Sequence, residues 1–292
     1  MSNTIYGGLS GVEIEEDIYD LGEGIILRKS FAHMFSPFLM AFKPKGKYGF
    51  NEGPWKAAKG GMSFDINIEI EVPEKSKSNQ KEIVWLIAAL IRIVKAPYLT
   101  VPAISNKSFQ SILKNEEEPN IYPFEVQDRI FSPSKEITPI LNKEDLDWVK
   151  EYWQSTLAMM KNNPKFNSAF KAFDSATVQG KTSSLLLTIW GAIEQLFAPT
   201  PGELRFRVAS YLSSYLKNPG EERYQLYKQI LKLYDERSTA AHTAKNIEHG
   251  PLVKTYVHMR NALVKMLEER KVPNQKDLEK LLFIPSIKIE NL

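Results

Sequence analysis

Two periods of hydrophobic residues divide the chain. Up to about residue 74 the pattern is that of strands: Val12–Glu15 alternates briefly, Gly24–Leu27 is a short apolar run, and Met62–Val72 alternates over its whole length until Pro73 stops it. The face formed by Met62, Phe64, Ile66, Ile68, Ile70 and Val72 must be covered. Gln80–Lys95 carries Ile83, Leu86, Ile87, Leu90, Ile91 and Val94 at helical spacing, which predicts a helix lying on that sheet. Strand-like pieces follow at Tyr98–Val101 and Tyr122–Val126. Ser132-Pro133-Ser134 and Thr138-Pro139 then read as a linker, after which the period becomes 3.6 and stays so.

In the second half, Asn142 is placed to cap a helix that carries Leu146, Val149, Trp153, Leu157 and Met160 and ends at Pro164. A short helix with Phe166, Phe170 and Phe173 follows. The next, about Ser184–Phe197, is nearly all apolar and reads as the centre of a bundle, capped by Thr182 or Ser183. Helices are further predicted at Glu203–Leu216, Glu221–His242 and Leu252–Arg270, the last with Arg260 snorkelling from its apolar stripe. The fold class expected is α+β: a β-rich N-terminal domain over residues 1–140, of sensing or regulatory type, followed by an all-α helical bundle over residues 141–292.

Three local motifs invite chemistry and do not sustain it. Glu116-Glu117-Glu118-Pro119 is an acidic turn whose consecutive carboxylates do not converge on one ion, so it reads as a solvated loop. Gly180-Lys181-Thr182-Ser183 resembles the end of a phosphate-binding loop, but Ser175 stands where that motif needs glycine, and no strand precedes it. The Gly-, Pro- and Lys-rich stretch Lys43–Trp55 reads as an ordinary exposed loop, with Lys45, Lys47, Tyr48 and Trp55 the groups that would touch nucleic acid if any did.

Composition narrows the setting. The chain has no cysteine, which excludes disulfides and thiolate metal sites and suits a reducing compartment. The start lacks a secretory pattern, and the longest apolar stretch, Ile83–Val94, is broken by Arg92 and too short for a bilayer; a cytoplasmic protein without a membrane partner is expected. Residues 1–140 carry 16 Lys+Arg against 18 Asp+Glu and residues 141–292 carry 22 against 17, so the second half is the basic one, which is compatible with RNA phosphates and equally with an ordinary helical domain.

The Glu221–His242 helix contains the chain's strongest anomaly. Leu226, Tyr227, Ile230, Leu231, Leu233 and Tyr234 build an apolar arc, and the next residue on it is Arg237. A guanidinium cannot shed its charge, so on a packing face it needs an anionic partner, a subunit interface or a phosphate. Glu194, at the edge of the central helix's apolar arc, is a candidate partner, and reads equally as an exposed Glu on a helix edge. Five residues after Arg237 comes His242, whose proton is exchangeable near neutral pH. On an unbroken helix the two would point about 140° apart, so either the helix ends between them or they act in different directions. Arg28 and His33 repeat the spacing at the end of a strand-like run, which marks that pair as coincidence.

The run Leu233–His242, with a long helix behind it, resembles the Arg-x(4-6)-His signature of the HEPN superfamily. Upstream, Leu187–Phe197 followed by Glu203–Ala209 is similar to the Apea-like HEPN branch. The resemblance covers roughly the last 150 residues, and Ser238 stands where many family members carry Asn, Asp or His. It implies an HEPN-like bundle that forms a homodimer, with Arg237 and His242 of both subunits lining one cleft and Ser238 and Glu194 in support. It further implies metal-independent cleavage of RNA by its own 2′-hydroxyl, with no cofactor, in a toxin or antiphage effector, and with a regulatory partner or phage-derived trigger acting on the chain. Two other readings stand beside it: a catalytically silent HEPN module that binds nucleic acid or a partner protein, and a structural protein in which Arg237 is only an interface ion pair.

Overall fold

The computed structural model describes residues 4–74, 79–114, 118–131, 133, 138–198, 202–242 and 248–284, His242 by its backbone alone. The fold is α+β: an antiparallel sheet in the N-terminal part, then a mostly helical part. The sheet comprises β1 (Ile5–Ser10), β3 (Ile18–Gly22), β4 (Ile25–Ala41), β5 (Trp55–Val72), β6 (Thr100–Ser105) and β7 (Ile121–Pro123), in the order β3-β4-β5-β1-β6-β7. A two-residue parallel pair, β2 (Glu13–Ile14) with β8 (Ile140–Leu141), stands beside it. The helices are α1 (Gln80–Val94), α2 (Lys143–Asn162), α3 (Pro164–Ala176), α4 (Thr182–Phe197), α5 (Leu204–Leu216), α6 (Glu221–His242), α7 (His249–Glu268) and α8 (Gln275–Phe283). No helix among the described residues is long and apolar enough to cross a membrane.

The alternation in β5 buries its inner part, where Ile66, Ile68, Ile70 and Val72 are fully buried, but not the whole predicted face: Phe64 is half-buried and Met62 is exposed, because there the strand has left the sheet and pairs with β4 alone. β1, which the pattern does not announce, sits between β5 and β6. Gly7 and Gly8 are small there for a packing reason. A Cβ on Gly7 would come within 2.5 Å of Val84, and one on Gly8 within 2.6 Å of Ile66.

The compact units are not two consecutive halves of the chain. One comprises Met1–Val84, Thr100–Val126 and Thr138–Lys143; the other comprises Trp85–Leu99, Gln127–Ile137 and Glu144–Leu292. Helix α1 thus begins in the first unit, where Val84 meets Gly7, and continues in the second, where Trp85 lies edge-on to Phe170 at 6.0 Å. The acidic residues Glu116 and Glu117, most of the linker around Ser132 and Ser134, and Pro199–Pro201 lie outside the described residues.

A buried ionic cluster organises the helical unit. Asp174 on α3 accepts from Arg92 Nε at 2.7 Å and Nη2 at 3.0 Å, from Arg129 Nη2 at 3.2 Å and from Trp85 Nε1 at 3.1 Å. Arg92 also donates to the Leu99 carbonyl, and Arg129 to the Asp174 carbonyl and Thr177 Oγ1. Burial pushes the Asp174 carboxyl up, but the charges and hydrogen bonds of Arg92 and Arg129 outweigh it and hold the group below the ordinary aspartate value. Arg260 corrects the expectation of snorkelling: its guanidinium turns inward and donates to the last carbonyls of α1, Ile93 O and Val94 O. At the start of α4 the N-cap is Lys181, without a side-chain bond, so neither Thr182 nor Ser183 caps the helix as expected.

Candidate functional site

The site is built from α4 and α6. Leucine, isoleucine and aromatic residues on one side of α4 leave Leu185, Leu186, Ile189, Trp190 and Ile193 buried, and Ile230 and Leu233 of α6 are buried in turn. Continuing these two apolar arcs by one turn brings the charges together. Arg237 Nη2 lies 3.2 Å from Glu194 Oε1, with the side chains about a quarter and a fifth exposed. The guanidinium carbon stands 5.5 Å from the centroid of the Tyr234 ring, and that ring meets Trp190 edge-on at 5.3 Å. Burial, and secondarily the Glu194 charge, raise the Tyr234 hydroxyl above its ordinary value, although Arg237 pulls the other way, so the phenol stays neutral.

The polar satisfaction of this cluster is incomplete. Arg237 Nε, Glu194 Oε1 and Trp190 Nε1 are buried and make no aligned hydrogen bond within the chain. For Glu194 Oε1 this holds despite the 3.2 Å approach of Arg237, which is an electrostatic contact and not an aligned bond. Buried polar atoms are nearly always bonded, so three unsatisfied ones on two neighbouring helices mark a place with hydrogen-bonding capacity to spare.

Helix α6 continues unbroken through His242, which settles one alternative: the helix does not end between Arg237 and His242. Their positions on the helix are turned about 140° from each other and offset by about 7.5 Å along the axis. The His242 side chain lies outside the described residues, as does most of the turn that follows. Ser238 is half-buried. On the next turn back, exposed Asp235 holds Arg205 of α5 through two bonds of 2.7 Å, so the α5 arginine is occupied by an ion pair.

The decoy pair behaves as its context predicts. Arg28 binds Glu71 at 2.9 Å, and His33 binds Asp65 at 2.7 Å, both on the hairpin formed by β4 and β5. His258 is a histidine that no motif points to. It is half-buried on α7, its ring meets Gln229 of α6 at 2.9 Å, and burial together with nearby Lys254 lowers its pKa, keeping it neutral. Gln229 is two turns before Arg237, about 12 Å along the helix. A cavity of about 550 Å³ opens at the α5–α6 turn between Lys217, Glu222 and Lys265. Glu222 lies about 22 Å along α6 from Arg237, too far for that cavity to serve it.

No family model, curated protein or solved structure matches this chain.

Proposed function

We propose that this chain is a metal-independent endoribonuclease of the HEPN superfamily, Apea-like branch, acting in the cytoplasm as a toxin or antiphage effector. The observation that carries the reading is Arg237: a permanent charge on a packing arc, tethered to Glu194, with its Nε unpartnered. With Nε sealed inside the chain, the donors left for phosphoryl oxygens are those of the Nη nitrogens. In the reaction proposed, the substrate 2′-hydroxyl attacks the adjacent phosphorus and the bond to the 5′-oxygen breaks. A cyclic phosphate and a free 5′-hydroxyl result. His242 moves a proton between these oxygens, Arg237 stabilises the charge on the non-bridging ones, Glu194 orients Arg237, and Ser238 lines the same surface. The 140° between Arg237 and His242 favours a composite site at a homodimer axis, where each chain supplies the residue the other's helix turns away.

One observation favours a second reading. The Glu194 carboxylate already opposes the Arg237 charge within the chain, as it would in a catalytically silent HEPN module that binds nucleic acid or a partner protein. Incubating the purified protein with total RNA in excess chelator, followed by end-group analysis, separates the two. Cyclic-phosphate and 5′-hydroxyl ends, reduced roughly a hundredfold or more in Arg237→Ala and in His242→Ala, support cleavage. Arg237→Lys should fail as well, since an ammonium lacks the planar fork, while His33→Ala should be silent. Mixed Arg237→Ala and His242→Ala subunits that cleave together would establish sharing across the dimer. Undiminished cleavage by His242→Ala, or cleavage only with added magnesium, would refute the mechanism.

A further inference from the structure

The β4–β5 hairpin is far longer than the sheet it belongs to. Its inner part is flanked by neighbours: Ile25–Arg28 pair with β3, and Ile68–Val72 pair with β1. Lys29 still bonds Asp17 and Gln110, and Ala32, Met34 and Phe64 still pack against Ile66 and Phe109; outward from there, among the described residues, Phe35–Ala41 and Trp55–Ser63 take part in no strand pairing but with each other. A free two-stranded ribbon is marginal in water, and an exposed apolar one is an interaction surface unless something blocks it. This one is apolar: Phe35, Phe38 and Phe42 are 60%, 51% and 62% exposed, with Leu39, Phe50 and Trp55 similarly bare.

The ribbon is also basic. Between residues 31 and 65 it carries Lys43, Lys45, Lys47, Lys56 and Lys59 against Glu52 and Asp65, and the net of +3 equals that of the entire chain. Phe38 stands at the register shift after Pro37 and Phe42 just past the end of β4; between them Met40 has Lys56 as its cross-strand neighbour. Residues two apart on a strand are spaced about 6.7 Å. Phe38 and Phe42, four residues apart with Met40 between them, are therefore about 13 Å apart, far enough for each to stack on a separate base of one strand. Tyr48 and Phe50 stack near the tip at 6.3 Å, adding a further flat surface beside Lys47.

Two other occupants fit less well. In lipid hydrocarbon the outer edges of β4 and β5 would carry unpaired N–H and C=O groups, which open sheet edges do not tolerate there. Strand addition from a second copy is opposed by Pro37, by the bulges after Lys29 and Pro37, and by the edge lysines, and two such ribbons would repel. We propose that the outer β4–β5 ribbon binds single-stranded nucleic acid without sequence preference, bases stacking on Phe38 and Phe42 and phosphates meeting Lys43, Lys45, Lys47 and Lys56. The binding takes RNA and DNA alike and goes beyond the proposed cleavage, because it stands on the ribbon alone.

The test uses the full chain carrying His242→Ala, so that no substrate is consumed, with fluorescent oligo(U) and oligo(dT) followed by anisotropy. Both should bind within a few-fold of each other, with duplex DNA weaker. Phe38→Ala with Phe42→Ala should weaken binding at least tenfold. Lys43, Lys45 and Lys47 changed together to Ala should reduce the slope of log affinity against log salt by about 2. These side chains are exposed, so an unchanged thermal melt verifies that the fold is intact. The proposal is overturned by absence of binding to either oligonucleotide, by binding that the ribbon variants leave unaltered, by ribbon-dependent capture on phosphatidylserine vesicles in place of oligonucleotides, or by ribbon-dependent self-association without nucleic-acid binding. DNA binding by this variant, together with no RNA cleavage by the wild-type chain, would leave the ribbon's role standing while counting against the nuclease reading.

Discussion

Asp174→Asn tests the ionic cluster most directly, because it keeps the side chain's shape and removes its charge. Arg92 and Arg129 are both under a tenth exposed, and Asp174 is the carboxylate that both contact. Opposite charges about 4 Å apart interact by about 4 kcal/mol at an effective dielectric near 20, and two such attractions are lost. Relaxation and water entry return part of this, which brings the expected destabilisation to the 3–5 kcal/mol typical of a buried pair broken from one side. For a unit of this size each kcal/mol shifts the midpoint by about 2–4 °C, so Tm should fall by about 6–20 °C in a calorimetric melt at pH 7. The pH dependence has a definite sign. The folded carboxyl titrates below its unfolded value, so its contribution is present above the unfolded pKa and is lost only as pH falls through the lower, folded one. Replacing Arg92, Arg129 and Asp174 together by Met, Met and Leu should recover most of the loss. A Tm shift under about 2 °C for Asp174→Asn would show that water already solvates the guanidinium groups, and the argument from burial would fall.

Glu69 has the opposite sign. Burial, opposed by Ser108 and Phe109 hydrogen bonds, raises its pKa, so wild type should gain stability relative to Glu69→Gln as pH drops through the raised folded value toward the unfolded one; melts from pH 7 to 4 would reveal it. Gly8→Ala should cost about 1–3 kcal/mol by overpacking Ile66, read from urea unfolding. Glu194→Gln should leave the fold within about 1 kcal/mol, since the pair is partly exposed, yet reduce RNA cleavage by releasing Arg237 from its orientation; unchanged cleavage would deny Glu194 that role.

What the sequence makes legible follows from whether one residue's pattern has one cause. β5 and α4 are legible because each lines up its apolar residues on one buried face, even though Glu69 on the other side of β5 is buried too. The outer half of β4 is not: Phe31–Phe42 is apolar on both faces, so no alternation survives, and Pro37 argues against a strand that the free edge in fact permits. Gly7-Gly8 looks like a turn because the close approach of Val84 and Ile66 is invisible in one dimension. The Glu194–Arg237 contact could be anticipated, since both charges end apolar arcs that must pack together. The Arg92–Asp174–Arg129 cluster could not be assembled, although its signal was present: Arg92 interrupts an otherwise apolar helix and demands a counter-charge, with nothing to say it lies 82 residues away. Arg237 and His242 fall five residues apart on one continuous helix, a relation the spacing leaves open because it does not say where the helix ends.

That separation of 82 residues also sets a timetable for synthesis. Arg92 is translated long before Asp174, and at about 5–20 residues per second the interval is about 4–16 s. Throughout it, the part of α1 that belongs with the later helices has Ile87, Leu90 and Ile91 without their final surroundings, and Arg92 has no carboxylate from α3. The N-terminal sheet can form while the ribosome is still working, but the helical unit cannot close until α3 has emerged. A nascent chain stalled before residue 174 would therefore display an apolar helix whose last turn carries Arg92 without its carboxylate, a form exposed to chaperones and to aggregation.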